Sequence, residues 1–376
     1  MEDRLRLLHV VESLDRGGLE RVVCDLVTEQ SRQGHLVQVF CLFTSGAFAS
    51  ELRDAGIHVI AAAKGKGPDL SVLMALRAAS RRARHQIVHT HNPVANYYSC
   101  AAEFTSWRSL PIVNTRHNMG ASNPADRREK LFRISMARTA KVAMVSPQVC
   151  KRFIDNNVVA AAKAAVVMNG IPLQRYVQAN AQTRLRARAL LGIDTNSFVI
   201  GSVGRLVTVK NHALLLNAVA PLCFARPDIK VVLLGDGELR NALLQQAQTL
   251  GIAGSVHLLG ERADIPNVLP AYDVFAMPSR SEGHSIALLE AAATGLPLIA
   301  TAVGGNSEIV QDGESGLLVP SEDAAALREA LQTLLRDPIR RRDFGLGARR
   351  WAQRMISVEA MTENYERLYR DVLPAG

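Results

Sequence analysis

Two doubly wound α/β domains facing each other across a cleft are the fold that this sequence predicts. Three observations carry the expectation. Short Val/Ile/Leu-rich runs alternate with helical patterns in both halves, the alternation lapses once near residue 170, and 376 residues exceed what one ordinary core organises. Near-continuous apolar strands separated by helices belong to parallel sheets covered on both faces.

The first series of strands reads LRLLHVV (5–11), LVQVFCLF (36–43), IHVIAA (57–62), QIVHTH (86–91), PIVNTRH (111–117) and AKVAMVS (140–146). Between the first two, Leu19, Val22, Val23, Leu26 and Val27 recur at helical spacing. Around VVMNGIPLQRY (166–176) the pattern lapses, and a polar, Arg-rich segment runs to about residue 190. The second series reads SFVIGSVGRL (197–206), IKVVLLGDG (229–237), SVHLLG (255–260), DVFAMPS (273–279), LPLIATAVGG (296–305) and GLLVP (316–320). Two helical patterns, about 322–354 and 357–370, close the chain. The expected organisation is a Rossmann-like domain over 1–172, a linker over 173–189, a second such domain over 190–355 and a closing helix within 356–376.

Composition narrows the function classes. No run of 18 apolar residues occurs, so a membrane-spanning helix is not expected. The start, MEDRLRLLHVVESLDRGG, is acidic at once, and its apolar run is too short for a signal peptide. Five cysteines (24, 41, 100, 150 and 223) are scattered without metal-ligand spacing, which reads as buried free thiols in a cytoplasmic protein. Residues 1–170 hold 23 Lys and Arg against 14 Asp and Glu, whereas 171–376 hold 21 of each, so the whole net charge of +9 lies in the first half. It is densest in ASRRARH (79–85) and ADRREKLFR (125–133). These are either solvated helix faces or a surface for an anionic membrane or a phosphate-bearing acceptor. Aromatic residues are few and not interleaved with the basic ones, which argues against nucleic acid.

In open α/β sheets ligands gather beyond the C-terminal ends of strands, where helix N-termini point. Gly17 and Gly18 stand at such a joint, between a strand and a helix. They form either a plain tight turn or a place where backbone N–H groups meet a phosphate closely. GxGxxG is absent, both here and in GDGELR (235–240), so no dinucleotide fingerprint is present. In VGRLVTVKNH (203–212), Arg205 follows Gly204 at a strand end, and both it and Lys210 can reach a pyrophosphate. The segment PSRSEGHSIALLEAAATGLPLIATAVGG (278–305) is the most specific in the chain. Glu282 precedes its helix and Glu290 lies inside, beside apolar neighbours, where a buried carboxylate needs a partner. The two could accept hydrogen bonds from a hexose and from a ribose diol. The N–H groups of Gly283, His284 and Ser285 stand at the helix start and suit phosphate.

The histidines are the fourth feature. His89 and His91 share one strand face by period-two alternation, and His117 ends a later strand. Their position at strand ends admits a catalytic or a structural role. No third metal ligand is fixed by spacing and no nearby carboxylate completes a known pattern, so no metal is expected.

The segments PSRSEGHSIALLEAAATGLPLIATAVGGNSEIV, VGRLVTVKNH, LLGDGELR, VVMNGI and GGLERVV together resemble the family-four retaining glycosyltransferases of the GT-B fold, and the likeness runs through both domains. The resemblance implies a nucleotide-diphosphate sugar held mainly by the second domain and an acceptor bound by the first. Arg205 and Lys210 would bind the diphosphate, Glu282 the sugar hydroxyls and Glu290 the ribose. Gly17, Gly18, Gly204, Gly237, Gly283, His284, Ser285 and Ile286 would complete the donor site. His117 would lie near the anomeric carbon, with His91 and Asn118 beside the acceptor, and the last helix would cross back to the first domain. His117, Arg205, Lys210 and Glu282 are thereby the expected catalytic set.

Three departures from the family pattern stand out. His284 and Ser285 replace the usual small or aromatic residue and second glycine, and Asn306-Ser307 stands where a proline is common. No DxD occurs, which fits a family whose leaving diphosphate is stabilised by cations and backbone N–H groups, with no cofactor and no metal requirement. Transfer with retention, by same-face attack of the acceptor hydroxyl, is implied by the resemblance alone. The expected function is hexosyl transfer to a glycan or lipid-linked acceptor in surface-polysaccharide or glycolipid assembly, in the cytoplasm or at the inner membrane face. A nucleotide-sugar epimerase and a non-catalytic sugar-nucleotide-binding protein are the alternatives on the same scaffold.

Overall fold

A computed structural model describes residues 4–104, 109–120 and 127–374, and the side chains of all of these except Arg127 and Arg128. The chain divides into two compact units, Met1–Ile171 with Val358–Gly376, and Pro172–Ser357.

The first unit is built on seven parallel strands: β1 (Arg6–Val11), β2 (Leu36–Cys41), β3 (His58–Ala61), β4 (Ile87–His91), β5 (Ile112–Arg116), β6 (Thr139–Met144) and β7 (Ala164–Val166). Their order is β3-β2-β1-β4-β5-β6-β7, so the sheet changes direction between β1 and β4. Five of these strands lie within the apolar runs of the sequence, and β6 begins one residue before its run. The seventh, AAV at the sheet edge, is too short to register as such a run. One core packs Leu8, Val10, Phe40 and Val88 against Val72 and Leu76, and another packs Val11, Val39 and Cys41 against Val23 and Val27. Side chains alternate across each strand, so consecutive residues feed these two faces.

The middle of this sheet departs from apolar strand chemistry. β4 and β5 read IVHTH and IVNTR and are buried at every position. Buried polar groups need hydrogen-bond partners, and alternation separates theirs into two sets. On one face Thr90 Oγ1 donates to Asn96 Oδ1 (2.9 Å), and Asn114 Nδ2 donates to Thr90 Oγ1 (2.9 Å). Arg116 belongs to this face, paired with Glu129 at 2.9 Å and lying over the rings of Phe132 and Phe153. The opposite face carries the histidines. It is covered by the helix Gly18–Arg32 and by the closing helix Val358–Arg370, which belongs to this unit.

The second unit holds six parallel strands: β8 (Phe198–Val203), β9 (Ile229–Leu234), β10 (Val256–Leu258), β11 (Val274–Met277), β12 (Leu298–Thr301) and β13 (Gly316–Val319). The order β10-β9-β8-β11-β12-β13 places its reversal between β8 and β11. Ile200, Val231, Leu233, Val274, Ala276 and Ile299 form the core with Leu215, Val219 and Leu331 from the covering helices.

Two expected boundaries are corrected. Residues 173–189, read as a linker, belong to the second unit and contain most of the helix Ala181–Leu191. Asn180 caps that helix by accepting from Gln182 N and Thr183 N, while Thr183 bonds back to the Asn180 N–H. Its Arg188 is buried against Asp273 at 2.7 Å, so a segment that looks polar in sequence is anchored by an internal ion pair. The single pattern 322–354 is two helices, Ala324–Arg336 and Pro338–Met355. Asp337 caps the second through Arg340 N, and Pro338 stands in its first turn, where no N–H is needed.

Candidate active site

Both reversals of strand order collect the residues singled out in the sequence, one set in each unit. In the second unit, β8 leads to Gly204 and Arg205, β9 to Gly237, and β11 to Ser279 and Glu282. Arg205 is exposed and has no hydrogen-bond or ion-pair partner among the described residues. The stem of Lys210 runs beside Gly204, whose added Cβ would sit 3.6 Å from it. Lys210 Nζ ends 2.6 Å from Glu282 Oε1, and Ser279 Oγ donates to the same oxygen at 2.6 Å. The family resemblance gives Lys210 and Glu282 separate roles, at the diphosphate and at the sugar; the fold joins the two residues as a pair.

The loop carrying Glu282 is held from behind by the glycine pair of AVGG. A Cβ on Gly304, whose φ is +52°, would lie 1.7 Å from the Glu282 carbonyl oxygen, and one on Gly305 would lie 2.2 Å from that of Gly283. Gly305 N also donates to the Gly283 carbonyl at 3.0 Å. Gly304, Gly305 and Ser279 are thus site residues that the sequence reading did not assign, although all lie within its most specific block.

The helix after this loop is Ile286–Thr294, with Ser285 as its N-cap accepting from Leu288 N. His284 is buried, and burial pushes its pKa down to about 4, so it is neutral near pH 7. Glu290, one turn into the helix, accepts a hydrogen bond from Tyr176 Oη at 2.8 Å. The buried carboxylate therefore has a protein partner, from a residue that the sequence reading placed at the domain boundary.

In the first unit, Gly17 stands at the N-cap of the helix Gly18–Arg32 with φ −175° and ψ 162°. That backbone is extended and open to any residue, so the tight-turn reading of the glycine pair does not hold. The Glu20 carboxylate folds back over this helix start, where a Cβ added to Gly17 would lie 2.3 Å from Glu20 Oε2. Asn118 is exposed, and its Oδ1 accepts from Gly120 N at 3.0 Å. Residues 121–126 of the expected acceptor loop, and with them the start of the basic cluster 125–133, lie outside the described residues.

The histidines form a buried stack. His91 Nδ1 lies 3.1 Å from His117 Nε2, and His91 Nε2 lies 3.1 Å from Nδ1 of His9 on β1. His89 meets Tyr369 Oη and Thr115 Oγ1, both at 2.7 Å. His91 is only 2% exposed and both its nitrogens are engaged, which corrects its reading as an acceptor-binding residue: it stands behind His117. Burial pushes the pKa of His9 down to about 3 and holds His89 and His91 well below the usual histidine range. His117, half-buried, is lowered by desolvation and then by the neighbouring Arg116. His9 supplies the third ring that the sequence spacing lacked, and donor atoms of His9, His89 and His91 lie within 4.8 Å of one another. All six of their nitrogens already have hydrogen-bond partners, so an ion there would have to displace those bonds.

Two doubly wound units, with a cation–carboxylate pair at one switch point and a histidine cluster at the other, make up the two-domain architecture of the GT-B fold. The comparisons agree. The model described as Glycosyltransferase Family 4 matches residues 16–175, and that described as Glycosyl transferases group 1 matches residues 183–351. An Escherichia coli UDP-Gal:α-D-GlcNAc-diphosphoundecaprenol α-1,3-galactosyltransferase is 31% identical over 280 residues, 72% of each chain. A D-inositol 3-phosphate glycosyltransferase of Rhodococcus jostii is 29% identical over 93% of this chain and 84% of its own. The solved structure of Anabaena Alr3699/HepE in complex with UDP-glucose superposes with a TM-score of 0.86 at 22% identity, covering 98% of this chain and all of that one. The chain belongs to the family-four glycosyltransferases of the GT-B fold.

Proposed function

We propose that this protein transfers a hexose, with retention, from a uridine-diphosphate sugar to a lipid-linked glycan acceptor. The observation that carries the reading is the Lys210–Glu282 pair beside the unpaired Arg205, at the switch point of the second unit. Arg205 and Lys210 bind the diphosphate and stabilise the charge that builds on it as the glycosidic bond breaks. Glu282 accepts from the sugar hydroxyls, Glu290 from the ribose, and the N–H groups of Gly283, His284, Ser285 and Ile286 face the donor phosphates. Gly204 and Gly237 keep the ends of β8 and β9 clear of side chains. In the first unit Gly17 and Gly18 present backbone N–H groups to phosphate, and His117 and Asn118 serve the reacting sugar and its acceptor. No metal is required, because cations and N–H groups meet the developing charge.

The uridine choice draws on the UDP-Gal donor named for the E. coli relative and the UDP-glucose held by the Anabaena neighbour. The lipid-linked acceptor draws on that relative's diphosphoundecaprenol substrate and on the charge of the first half. Lys130, Leu131, Arg133 and Ile134 are all exposed on the helix Arg127–Ser135, a mixture of basic and apolar side chains suited to an anionic bilayer face. No helix among the described residues is long and apolar enough to cross a membrane, so the attachment proposed is peripheral, at the cytoplasmic face.

The test incubates the enzyme with UDP-glucose or UDP-galactose and a diphosphate-lipid-linked N-acetylglucosamine, and assigns the anomeric configuration of the product by proton NMR. An α-linked product that disappears in Glu282→Ala and Arg205→Ala supports the reading. A β-linked product, or full activity in both variants, refutes it.

A further inference from the structure

The histidine stack continues past the residues that transfer chemistry would need, and its far end is an amide. His117 Nε2 meets His91 Nδ1 (3.1 Å), His91 Nε2 meets His9 Nδ1 (3.1 Å), and His9 Nε2 meets Gln30 Oε1 (2.8 Å). The other end of the Gln30 amide, Nε2, donates to Tyr369 Oη at 3.1 Å. Gln30 is 1% exposed and His9 fully buried, so water does not complete these bonds.

We infer that Gln30 fixes His117, through His9 and His91, in the tautomer that carries its proton on Nε2 and leaves Nδ1 a bare acceptor. A neutral imidazole has one donor nitrogen and one acceptor nitrogen. The carbonyl oxygen of Gln30 can only accept, so the proton of His9 sits on Nε2 and its Nδ1 must accept. The proton between His9 and His91 then belongs to His91 Nε2, which makes His91 Nδ1 an acceptor. The proton between His91 and His117 belongs in turn to His117 Nε2. His117 Nδ1 is left with a lone pair, shielded from solvent and without a partner among the described residues.

The second arm is compatible with this order, and the Gln30 amide decides between it and its reverse. Tyr369 Oη receives the Gln30 proton and donates its own to His89 Nδ1 (2.7 Å). His89 Nε2 donates to Thr115 Oγ1 (2.7 Å), whose hydroxyl is 3.0 Å from Tyr365 Oη. Every bond in both arms has one donor and one acceptor. Protonating any ring would set two donors face to face, and burial already disfavours the charged form of these rings. Turning the Gln30 amide over would reverse every proton in the chain and make His117 Nδ1 a donor. Gln30 is therefore a positioning residue.

The chemical consequence rests on the proposed role of His117 in sugar transfer. Nδ1 is shielded as it stands; where the groups over it give way to a substrate, a bare Nδ1 accepts from a hydroxyl and is unsuited to a phosphate oxygen, because two lone pairs repel. The site at His117 thus selects a hydroxyl, of the sugar or of its acceptor.

The test is long-range nitrogen–proton NMR on the full chain labelled with ¹⁵N-histidine at pH 7.5, with the His117 signals assigned by their loss in His117→Gln. The bare nitrogen of a neutral ring resonates far downfield of the protonated one, so each tautomer is read directly. Expected is a His117 ring protonated at Nε2. Gln30→Leu should average its two nitrogen shifts. Gln30→Glu, which keeps an acceptor facing His9, should restore the wild-type pattern at His117. Should Gln30→Leu not fold, Tyr369→Phe frees the amide to turn and is expected to show both tautomers. A wild-type His117 protonated at Nδ1, or a His117 pattern indifferent to these variants, overturns the inference. Full transfer activity in His117→Ala with the tautomer pattern as expected would leave the inference standing and remove the role of His117 in transfer.

Discussion

Lys210 and Glu282, 72 residues apart in the chain, are held 2.6 Å apart in the second unit, with Ser279 on the same carboxylate oxygen. The pair joins the loop after β8 to the loop after β11, the two strands between which strand order reverses. Glu282 is largely buried and Lys210 partly so; removing one leaves the other without its partner where water is scarce.

Removing one member should therefore cost stability as well as activity. Lys210→Met and Glu282→Gln are each expected to lower stability by about 1–3 kcal/mol, from the group left without its partner. Each should also lower kcat by roughly 10²–10³. The double variant should regain much of the stability and none of the activity. Urea unfolding and initial rates on the four proteins check both; simple additivity of the two stability losses would contradict the coupling.

Arg205 should behave differently, because it is exposed and has no partner among the described residues. Arg205→Ala is expected to leave stability within about 0.5 kcal/mol. The barrier to transfer should nevertheless rise by about 3 kcal/mol. Equal losses of stability in Arg205→Ala and Lys210→Met would contradict the distinction.

Gly304→Ala tests the support of the Glu282 loop. Its Cβ would meet a backbone oxygen at 1.7 Å, which no side-chain rotation relieves, and φ is positive. A loss of at least about 1–3 kcal/mol is expected, together with weakened donor binding measured by calorimetry. Gly34→Ala serves as the control, since φ there is also positive but nothing lies within 4 Å of the added carbon.

The buried histidines give stability a pH dependence. In the folded chain the pKa values of His9, His212 and His284 are lowered to about 3, 4 and 4 from an ordinary 6.5. Between the folded and unfolded values only the unfolded chain takes up these protons, so stability is full above pH 6.5 and falls as the pH drops toward 4. Each such histidine contributes a slope of about 1.4 kcal/mol per pH unit. Urea midpoints at pH 7.5, 6 and 5 should fall more steeply than one histidine allows; a flat profile would contradict neutral burial.

Much of the fold was legible because each of six apolar runs in each half is long enough to make a strand buried on both faces. β7 was not, since AAV is short and only partly buried, and its place comes from pairing with β6. The helix Ala181–Leu191 was hidden by its arginines, of which Arg188 is buried only because Asp273 meets it. The sequence placed Arg205, Lys210, Glu282 and Glu290 at strand ends and a helix, and they are found there. What it could not supply was partnership. The Lys210–Glu282 pair, the Tyr176 hydroxyl on Glu290 and the place of His9 beside His91 all depend on strand order, which no local pattern encodes. Gly304 and Gly305 carried a readable signal, a glycine pair after a strand, whose purpose becomes clear only when the facing loop is in place.

Whether the second unit binds a nucleoside diphosphate is read from thermal stability in the presence of UDP, GDP, ADP, CMP and NAD. At a hundredfold excess over its dissociation constant, a ligand stabilises the native chain by about 2.7 kcal/mol. The expected result is a rise in Tm with UDP that is lost in Lys210→Met and Arg205→Ala. A rise with NAD alone, or none with any nucleoside diphosphate, would contradict the assignment of the donor site.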